Sequence, residues 1–324
     1  MTDAAAATPP PVPDRRIRVL WNPSSGRKAG LPTNHADEGL LTELMAKHGL
    51  GDDLRATTSE EDAIAQAKAA VKEGIEVVVA AGGDGTIGLV GRQLMGTDSA
   101  LGMLPLGSVM NIPRMLEVPR DLDGAAEVLR TGRIRAIDVG ETGGDVFYEA
   151  VSVGLHAAVS RELPKADEGD RAAIWRSIVA GFRYRPSRMT IELDGDATRT
   201  IATRALLVAI ANGPYMGAGF TVAPDAQLDD GRFDVRIFRH FSKRELLLHF
   251  VSIAFGRRAY VPHVTTERAA RVRITGARPL PARADARDLG TTPVEVGIRP
   301  AALHVVVPAP GDPAADVTPD ASDP

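Results

Sequence analysis

A glycine-rich turn at residues 82–86 has the composition of a phosphate-binding site. An apolar run from Val77 to Ala81 comes directly before it, and a helical pattern opens at Ile87. In such a strand–turn–helix unit, backbone N–H groups point out of the helix N-terminus, whose partial positive charge attracts anions. Glycine keeps the backbone accessible, since a Cβ would hold a phosphate away. We therefore expect a phosphate to contact the turn, whose residues are Gly82, Gly83, Asp84, Gly85 and Thr86.

Asp84 is the one acidic residue of this turn. A carboxylate repels a polyphosphate unless a divalent cation or a network of hydrogen-bond donors lies between them. The turn therefore favours a nucleotide with Mg²⁺ over bare phosphate as its ligand.

Two other phosphate-binding motifs fit less well. The P-loop pattern that ends in Gly-Lys-Ser/Thr occurs nowhere in the chain. The segment from Gly83 to Gly88 matches G-x-G-x-x-G, but a dinucleotide site also needs an acidic residue about 20 residues further on, after the next strand. That strand, Leu101 to Leu104, is followed by Pro105-Leu106-Gly107, so the ribose anchor is missing.

The pentapeptide GGDGT resembles the motif shared by diacylglycerol kinases, sphingosine kinases, NAD kinases and, more distantly, phosphofructokinases. Two upstream segments resemble the lipid kinases of this superfamily. The NPSSG stretch that begins at Asn22 is similar to their NPxxG motif, which implies that Asn22 lies on the nucleotide side; an ordinary βα loop is the alternative. Thr57 falls where the family has a threonine that contacts ATP, although it could also cap the next helix.

The segment from Pro105 to Arg114 favours the lipid kinases over the other families that share GGDGT. It resembles the lipid-kinase pattern PLGTxNxxAR, with Ser108 in place of Thr and Pro113 in place of Ala. Serine keeps the hydroxyl, so a hydrogen bond to phosphate or ribose survives. The resemblance implies that Ser108 and Asn111 lie beside the nucleotide. NAD kinases carry a downstream Asn-Glu pair that this chain lacks.

A second motif block, residues 211–231, resembles the lipid-kinase stretch that ends in APxAxLDDG. In related bacterial enzymes the second aspartate and flanking carbonyl groups hold a structural Mg²⁺, and such oxygen ligands suit a hard cation. By position the resemblance implies the Asp230 side chain with the backbone carbonyls of Gln227 and Arg232. A turn without metal is the alternative.

Asp285 falls where the family has the aspartate of an Asp-Gly-Glu sequence, which is thought to act as the general base for the lipid hydroxyl. Phosphoryl transfer needs such a group to accept the proton late in the step. The two residues after it depart from the pattern, because Ala286 replaces Gly and Arg287 replaces Glu. Arg287 could hold the γ-phosphate or form an ion pair with Asp285.

Alternating strand and helix patterns predict the fold that positions these residues. Residues 15–133 are expected to form an α/β ATP-binding domain with a doubly wound parallel sheet. Residues 134–308 are expected to form a β-rich, sandwich-like lipid-substrate domain, with a return of its last segment to the first domain as one option. It includes helices near residues 172–182 and from Ser242. Residues 1–14 and the acidic 309–324 are expected to be disordered tails.

Composition excludes several classes of protein. With 38 Lys and Arg against 42 Asp and Glu, the formal net charge is −4, which argues against a nucleic-acid partner. The chain has no cysteine, so disulfides and thiolate metal sites are impossible. No apolar run approaches the roughly 18 residues of a membrane span. We expect a cytoplasmic protein whose membrane contact, at the inner face, is peripheral.

Together the motif blocks identify the chain as a member of the diacylglycerol kinase catalytic-domain family. The resemblance implies ATP and Mg²⁺ as cofactors and a lipid hydroxyl as acceptor. A catalytically silent nucleotide- or lipid-binding protein is the rival, motivated by Arg287. A soluble polyol or nucleoside acceptor is a third reading. The oligomeric state is left open, with a homodimer among the options.

Overall fold

A computed structural model describes residues 15–26, 34–161, 176, 179–181, 183–239 and 264–310. The described chain divides into two compact units: the residues up to Ala136 together with those from Leu303, and the residues from Ile137 to Ala302. The helix predicted from Ser242 and the tail predicted at 1–14 lie outside the described residues. The same holds for most of the helix predicted at 172–182 and of the tail at 309–324.

The first unit is built on a parallel sheet in the order β2-β1-β3-β4. Val305 of the long last strand, β18, pairs in parallel with Leu101 of β4. Every residue of β1, β3 and β4 is buried, as expected for parallel strands covered on both faces. This confirms the predicted α/β class. The strands are β1 Ile17–Trp21, β2 Leu54–Ala56, β3 Val77–Gly82, β4 Ala100–Pro105 and β18 Val294–Val307.

Among the described residues, five helices connect these strands: α1 Glu38–His48, α2 Glu60–Lys72, α3 Asp84–Leu94, α4 Asn111–Met115 and α5 Leu122–Thr131. Three of them begin at a side-chain cap, since Asp37, Ser59 and Asp121 each accept a backbone N–H of the first turn. Helix α3 begins at Asp84, three residues before the predicted Ile87. The sequence pattern does not show this start, because Gly83 and Gly85 have low helix propensity. That low propensity costs little here, since the N–H groups at the start of a helix have no intrahelical partner.

In its described residues the second unit contains two large antiparallel arrangements, in the orders β18-β15-β8-β9 and β14-β13-β10-β7-β16-β17, and a small two-stranded sheet of β11 and β12. Buried side chains of the two large arrangements form one apolar core, in which Phe147 stacks on Phe233 with ring centroids 5.7 Å apart. This confirms the predicted β-rich class. The strands, besides β18, are β5 Arg133–Thr142, β6 Asp145–Phe147, β7 Ala150–Gly154, β8 Ser187–Leu193, β9 Thr200–Ala205, β10 Leu207–Ala211, β11 Tyr215–Met216, β12 Phe220–Thr221, β13 Phe233–Phe238, β14 Val264–Ala269, β15 Arg271–Gly276, β16 Pro281–Ala284 and β17 Arg287–Thr291, with helix α6 at Leu155–Ser160.

Two strand-like runs in the sequence of this unit are each divided in the structure. The run from Ile201 to Ala211 forms β9, which pairs with β8 in one sheet, and β10, which pairs with β7 in the other. The chain therefore changes sheet at Leu206, a corner that an unbroken apolar pattern conceals. The run from Val146 to Val153 is interrupted at Tyr148 and Glu149.

No helix in the described ranges is long and apolar enough to cross a membrane.

Candidate active site

The glycine turn after β3 packs against the turn after the neighbouring strand β4. The Leu106 N–H donates to the Gly82 carbonyl at 2.9 Å. A Cβ added at Gly107 would lie 3.0 Å from the Gly83 Cα and 2.6 Å from the Met110 sulfur. A Cβ at Gly82 would lie 2.5 Å from the Thr86 Cβ. Glycine is therefore needed at position 107, where the Gly83 backbone comes close, and at position 82, where the Thr86 side chain fills the space.

Gly85 differs from these glycines, because a Cβ added there meets nothing within 4 Å. It lies in the first turn of the 11-residue helix α3, whose N-cap residue, Gly83, supplies no side-chain hydrogen bond. The first intrahelical bond runs from the Ile87 N–H to the Gly83 carbonyl. The N–H groups before it have no intrahelical acceptor and lie at the positive end of the helix dipole, an arrangement that suits phosphate oxygens.

The Asp84 carboxylate caps a second helix. Its Oδ2 accepts the Asn111 N–H at 3.1 Å and its Oδ1 accepts the Ile112 N–H at 2.9 Å, both at the start of α4. Burial raises the pKa of Asp84 above its ordinary value of 3.8, and hydrogen bonds from the backbone of Ile112, Asn111 and Met110 offset part of that effect. Of the two conditions considered for Asp84, a cation or a donor network, the described residues supply the donor network.

Ser108 and Asn111 lie in and after the turn that follows β4. Ser108 is half-buried, whereas Asn111 is fully buried. Counted from Pro105, the asparagine of the PLGTxNxxAR pattern falls on Met110, so Asn111 stands one residue later. Met110 has φ +59°, the left-handed region that asparagine adopts more readily than methionine does. A nucleotide contact by Asn111 stays a prediction.

Asn22 joins the first polar turn to the glycine turn. Its Nδ2 donates to Thr86 Oγ1 at 3.1 Å, and its Oδ1 accepts the Ser24 N–H at 3.0 Å. Thr57 is buried and holds to the end of β1, since its N–H and its hydroxyl both donate to the Trp21 carbonyl. The structure therefore brings Asn22 to Thr86 and Asp84 to Asn111. Thr57 does not cap α2, because Ser59 is the N-cap residue of that helix.

In the second unit, three successive backbone N–H groups bind the carboxylate of Asp285. Tyr148 donates to Oδ2 at 2.8 Å, and Glu149 and Ala150 donate to Oδ1 at 3.0 and 3.1 Å. The Asp285 N–H donates in return to the Ala150 carbonyl at 3.1 Å. Asp285 itself has φ +44°, a strained conformation for a residue with a side chain. The predicted base is therefore held in one orientation by the backbone of the bend between β6 and β7 and by the first residue of β7.

The charged residues around Asp285 form their own contacts. Arg287, which replaces the family glutamate, makes an ion pair with Asp145. Arg283 donates to the backbone carbonyls of Asp285, at 3.0 Å, and of Ala286. Asp288 pairs with Arg161 at 2.8 Å. Arg287 thus pairs with Asp145 and not with Asp285, whereas a contact of Arg287 with the γ-phosphate stays a prediction.

Glu149 is the main residue that sequence reasoning missed. It is 6 % exposed and connects three segments. Its N–H donates to Asp285, its carbonyl accepts the N–H groups of Asn212 and Gly213 at 2.9 and 3.1 Å, and its Oε2 accepts the Gly217 N–H at 3.0 Å. The one local signal was a charged residue inside the apolar run from Val146 to Val153.

His156 lies under the same glycine-rich loop. A Cβ at Gly217 would lie 2.8 Å from its Nε2, and Ser152 Oγ lies 2.8 Å from its Nδ1. Burial, with a smaller effect from the positive charge of Arg283, lowers the pKa of His156 from 6.5 to about 4. The imidazole is therefore neutral at physiological pH and packs as a buried polar side chain.

The predicted metal ligands Gln227, Asp230 and Arg232 share one tight turn. Asp138 holds this turn in place, since its Oδ2 accepts the Gly231 N–H at 2.7 Å and its N–H donates to the Leu228 carbonyl. Like Glu149, Asp138 was missed by sequence reasoning.

Both carboxylate oxygens of Asp230 have neighbours in the described chain. Its Oδ1 accepts the Arg232 N–H, and its buried Oδ2 makes no hydrogen bond within the described chain, although an Arg268 nitrogen lies 3.2 Å away as an ion pair. Arg268 has a second carboxylate, Asp234, at 3.5 Å. Since the described residues contain no group of three or more His, Asp or Glu placed to hold a metal, a site here would use one carboxylate and backbone carbonyls.

Comparison with known proteins places both units in described families. Residues 16–142 match the family model for a diacylglycerol kinase catalytic domain. Residues 149–307 match the model for a YegS C-terminal NAD kinase beta sandwich-like domain.

Relatives match over almost the whole chain. A diacylglycerol kinase of Bacillus subtilis (strain 168) is 28% identical over 300 residues, which cover 91% of this chain and 97% of the relative. A diacylglycerol kinase of Staphylococcus aureus (strain JH9) is 29% identical over 289 residues, covering 86% and 88%.

A crystal structure of a diacylglycerol kinase from Bacillus anthracis str. Sterne superposes with a TM-score of 0.68, at 17% identity, over 91% of this chain and 97% of that one. At that identity the likeness shows the fold. The two domain matches stand in tandem, so the chain carries a diacylglycerol kinase catalytic domain followed by a YegS C-terminal NAD kinase beta sandwich-like domain.

Proposed function

We propose that this protein is an ATP-dependent lipid kinase that transfers the γ-phosphate of ATP to a lipid hydroxyl. The observation that carries the proposal is the open space at Gly85. Here a Cβ added at Gly85 would meet nothing within 4 Å, in the first turn of α3 at the positive end of the helix dipole. The names of the relatives, diacylglycerol kinases, support a lipid as the acceptor.

Phosphate oxygens would be bound by the backbone of Gly82 to Thr86. Asn22 would fix the Thr86 hydroxyl beside them through its 3.1 Å hydrogen bond. Ser108 would add a hydroxyl from the adjacent turn, with Thr57 and Asn111 as further neighbours. Because Asp84 is already satisfied by the start of α4, its carboxylate positions the two turns rather than repelling the ligand.

Asp285 would accept the proton of the lipid hydroxyl as the new O–P bond forms and the bond from the γ-phosphorus to ADP breaks. Phosphoryl transfer leaves little covalent work for the protein, so positioning dominates. The three backbone donors at 2.8–3.1 Å serve that purpose, because they fix the carboxylate before substrate arrives.

Mg²⁺ bound with the nucleotide would neutralise the charge that the phosphate groups carry. A second, structural Mg²⁺ would be held by Asp230 and by the carbonyls of Gln227 and Arg232; Asp230 Oδ2 makes no hydrogen bond but lies 3.2 Å from an Arg268 nitrogen, which the cation would have to displace. A lipid acceptor also implies peripheral contact with the membrane that contains it, at its cytoplasmic face.

The second candidate function is nucleotide or lipid binding without turnover. One observation favours it. The family glutamate is replaced by Arg287, so a cation stands two residues after the proposed base in the sequence. Arg287 forms an ion pair with Asp145. A soluble polyol or nucleoside acceptor is a weaker third candidate.

Labelled lipid product separates these candidates. Purified protein is given γ-³²P-ATP with Mg²⁺ and detergent-dispersed diacylglycerol, sphingoid base or ceramide, and in parallel glycerol or a nucleoside. A labelled lipid whose yield depends on detergent supports the kinase. Nucleotide binding without any labelled product supports the silent protein, and label in the soluble acceptors alone supports the third candidate.

A further inference from the structure

Four exposed arginines surround an open groove on the second unit, and nothing in the proposed kinase reaction uses them. We call Arg185, Arg188, Arg204 and Arg278 the arginine groove. Two adjoining cavities of about 550 and 480 Å³ share Arg188 and Arg204 in their walls. The first cavity also includes the hydroxyl side chains of Thr190 and Thr275.

The pairing of β8 with β9 concentrates positive charge here. Arg188 lies directly opposite Arg204 in the antiparallel register, so both side chains leave the same face of the sheet. The opposite face carries the buried residues Met189 and Ile191. Like charges at directly opposed positions destabilise a strand pair, which makes this arrangement unfavourable unless an anion compensates it.

Two hydrogen bonds hold the rim of the groove. Arg278 donates from Nη2 to the hydroxyl oxygen of Ser187 at 3.0 Å. Ser187 is buried, so it fixes the base of the Arg278 guanidinium against the start of β8. Arg204 donates weakly, at 3.4 Å, to the Pro186 carbonyl. These contacts orient the guanidinium groups without neutralising them.

At the other end of the same sheet face, carboxylates compensate the positive charge of an arginine. Arg273 pairs with Glu295 at 3.1 Å and lies 3.9 Å from Glu192. Glu192 is four residues from Arg188 along β8, about 13 Å, too far to serve the groove. In the described chain, none of the four groove arginines has a carboxylate partner, whereas Arg273 has two.

We propose that the arginine groove binds a phosphate monoester or diphosphate group. Guanidinium groups bind phosphate in a bidentate manner, and a phosphate monoester carries about −1.5 to −2 charges with three acceptor oxygens, enough to compensate the opposed pair. The phosphate can belong to a soluble molecule or to a lipid headgroup. The proposal is independent of the kinase reaction.

The test uses two charge-matched double variants of the full chain. Arg188→Ser with Arg204→Ser removes the opposed pair, and Arg271→Ser with Arg273→Ser removes two charges from the same sheet face outside the groove. Inorganic pyrophosphate binding is measured by calorimetry. Sedimentation is measured with vesicles of phosphatidylcholine containing phosphatidic acid, whose headgroup is a phosphate monoester.

At least a tenfold loss in the groove variant, relative to the control variant, supports the proposal. Loss with pyrophosphate alone indicates a soluble ligand, and loss with vesicles indicates a headgroup. Pyrophosphate that binds at the glycine turn contributes equally to the groove variant and to the control variant. The difference in affinity between these two variants therefore measures binding at the arginine groove. Equal binding by both variants in both assays overturns the proposal. Arg204→Ser with Arg278→Ser repeats the test if the first pair unfolds.

Discussion

Glu149 and Asp285 are joined by a 3.0 Å hydrogen bond from the Glu149 N–H to Asp285 Oδ1, across 136 residues of sequence. The same glutamate holds Gly217 through its side chain. One residue thus connects the orientation of the proposed base to the glycine-rich loop after β10, and a change at Glu149 should be felt at Asp285 without touching the nucleotide turn.

We expect Glu149→Ala to lower the free energy of unfolding by about 1–3 kcal/mol, because the Gly217 N–H loses its acceptor in a buried site. Phosphotransfer should fall while ATP affinity stays within about twofold of the wild type. Urea unfolding and nucleotide titration measure the two effects.

Glu149→Gln keeps an acceptor oxygen and should restore most of both properties. Glu141→Ala is the control, because Glu141 is half exposed and its nearest ion-pair contact, with Arg299, is 3.8 Å long. A surface change of that kind should stay within about 0.5 kcal/mol of the wild type. Glu149→Ala behaving like Glu141→Ala contradicts the connecting role.

Gly85 and Gly82 should respond in opposite ways to alanine. Gly85→Ala places a methyl group in open space in a helical first turn, so we expect stability to be unchanged or to rise by up to about 1 kcal/mol. ATP affinity should nevertheless fall at least tenfold, because the methyl group occupies the proposed phosphate position. Thermal unfolding and nucleotide titration measure these two effects.

Gly82→Ala is the matched comparison, since its Cβ would lie 2.5 Å from the Thr86 Cβ. It should destabilise the fold itself. If Gly85→Ala binds ATP as tightly as the wild type, the phosphate does not lie against this turn.

Much of this turn was predictable because GGDGT is a local motif whose chemistry lies in five consecutive residues. Glu149 and Asp138 were not, because their roles depend on partners far along the chain: Asp138 accepts the Ala301 N–H across 163 residues. The sheet change at Leu206 was hidden for a related reason. Both halves of the run are apolar, and only the tertiary pairing decides which sheet each half joins.

The arginine groove shows the same limit. Arg188 and Arg204 are 16 positions apart in the sequence, and nothing in the local pattern shows that the register sets them opposite each other. A formal net charge of −4 likewise gave no sign of a concentrated positive surface.

Asp84 should make stability depend on pH in the acidic range. Its pKa is raised in the folded state, so its contribution to stability is complete below 3.8 and is lost as the pH rises through the folded-state pKa. Asp84→Asn cannot ionise. The free energy of unfolding of the wild type minus that of the variant should therefore decrease as the pH rises from below 3.8 toward neutrality.

Chemical unfolding of both proteins across that pH range measures this difference. A difference that grows with pH, or stays constant, contradicts the burial of an ionisable carboxylate at the start of α4.

His156 should also make stability depend on pH, at higher pH values than Asp84 does and in the opposite direction. Its pKa falls from 6.5 to about 4 on folding, so the unfolded chain binds the proton first and stability is lost as the pH drops between these values. The full effect is on the order of 3 kcal/mol. His156→Asn should remove that dependence.

Imidazole NMR signals report this residue directly. We expect the His156 resonances to stay in the neutral form down to about pH 5, consistent with a pKa of about 4. A midpoint near 6.5 contradicts the buried, neutral assignment.

The central claim is that Asp285 accepts the proton of a lipid hydroxyl, and steady-state transfer of ³²P from ATP to lipid by Asp285→Asn tests it most directly. Asp288→Asn is the control, because that aspartate is three residues away and pairs with Arg161 on the surface. The account predicts that Asp285→Asn binds ATP normally and loses at least about 100-fold in kcat, the scale of a general base, whereas Asp288→Asn stays active. Wild-type turnover by Asp285→Asn would contradict it.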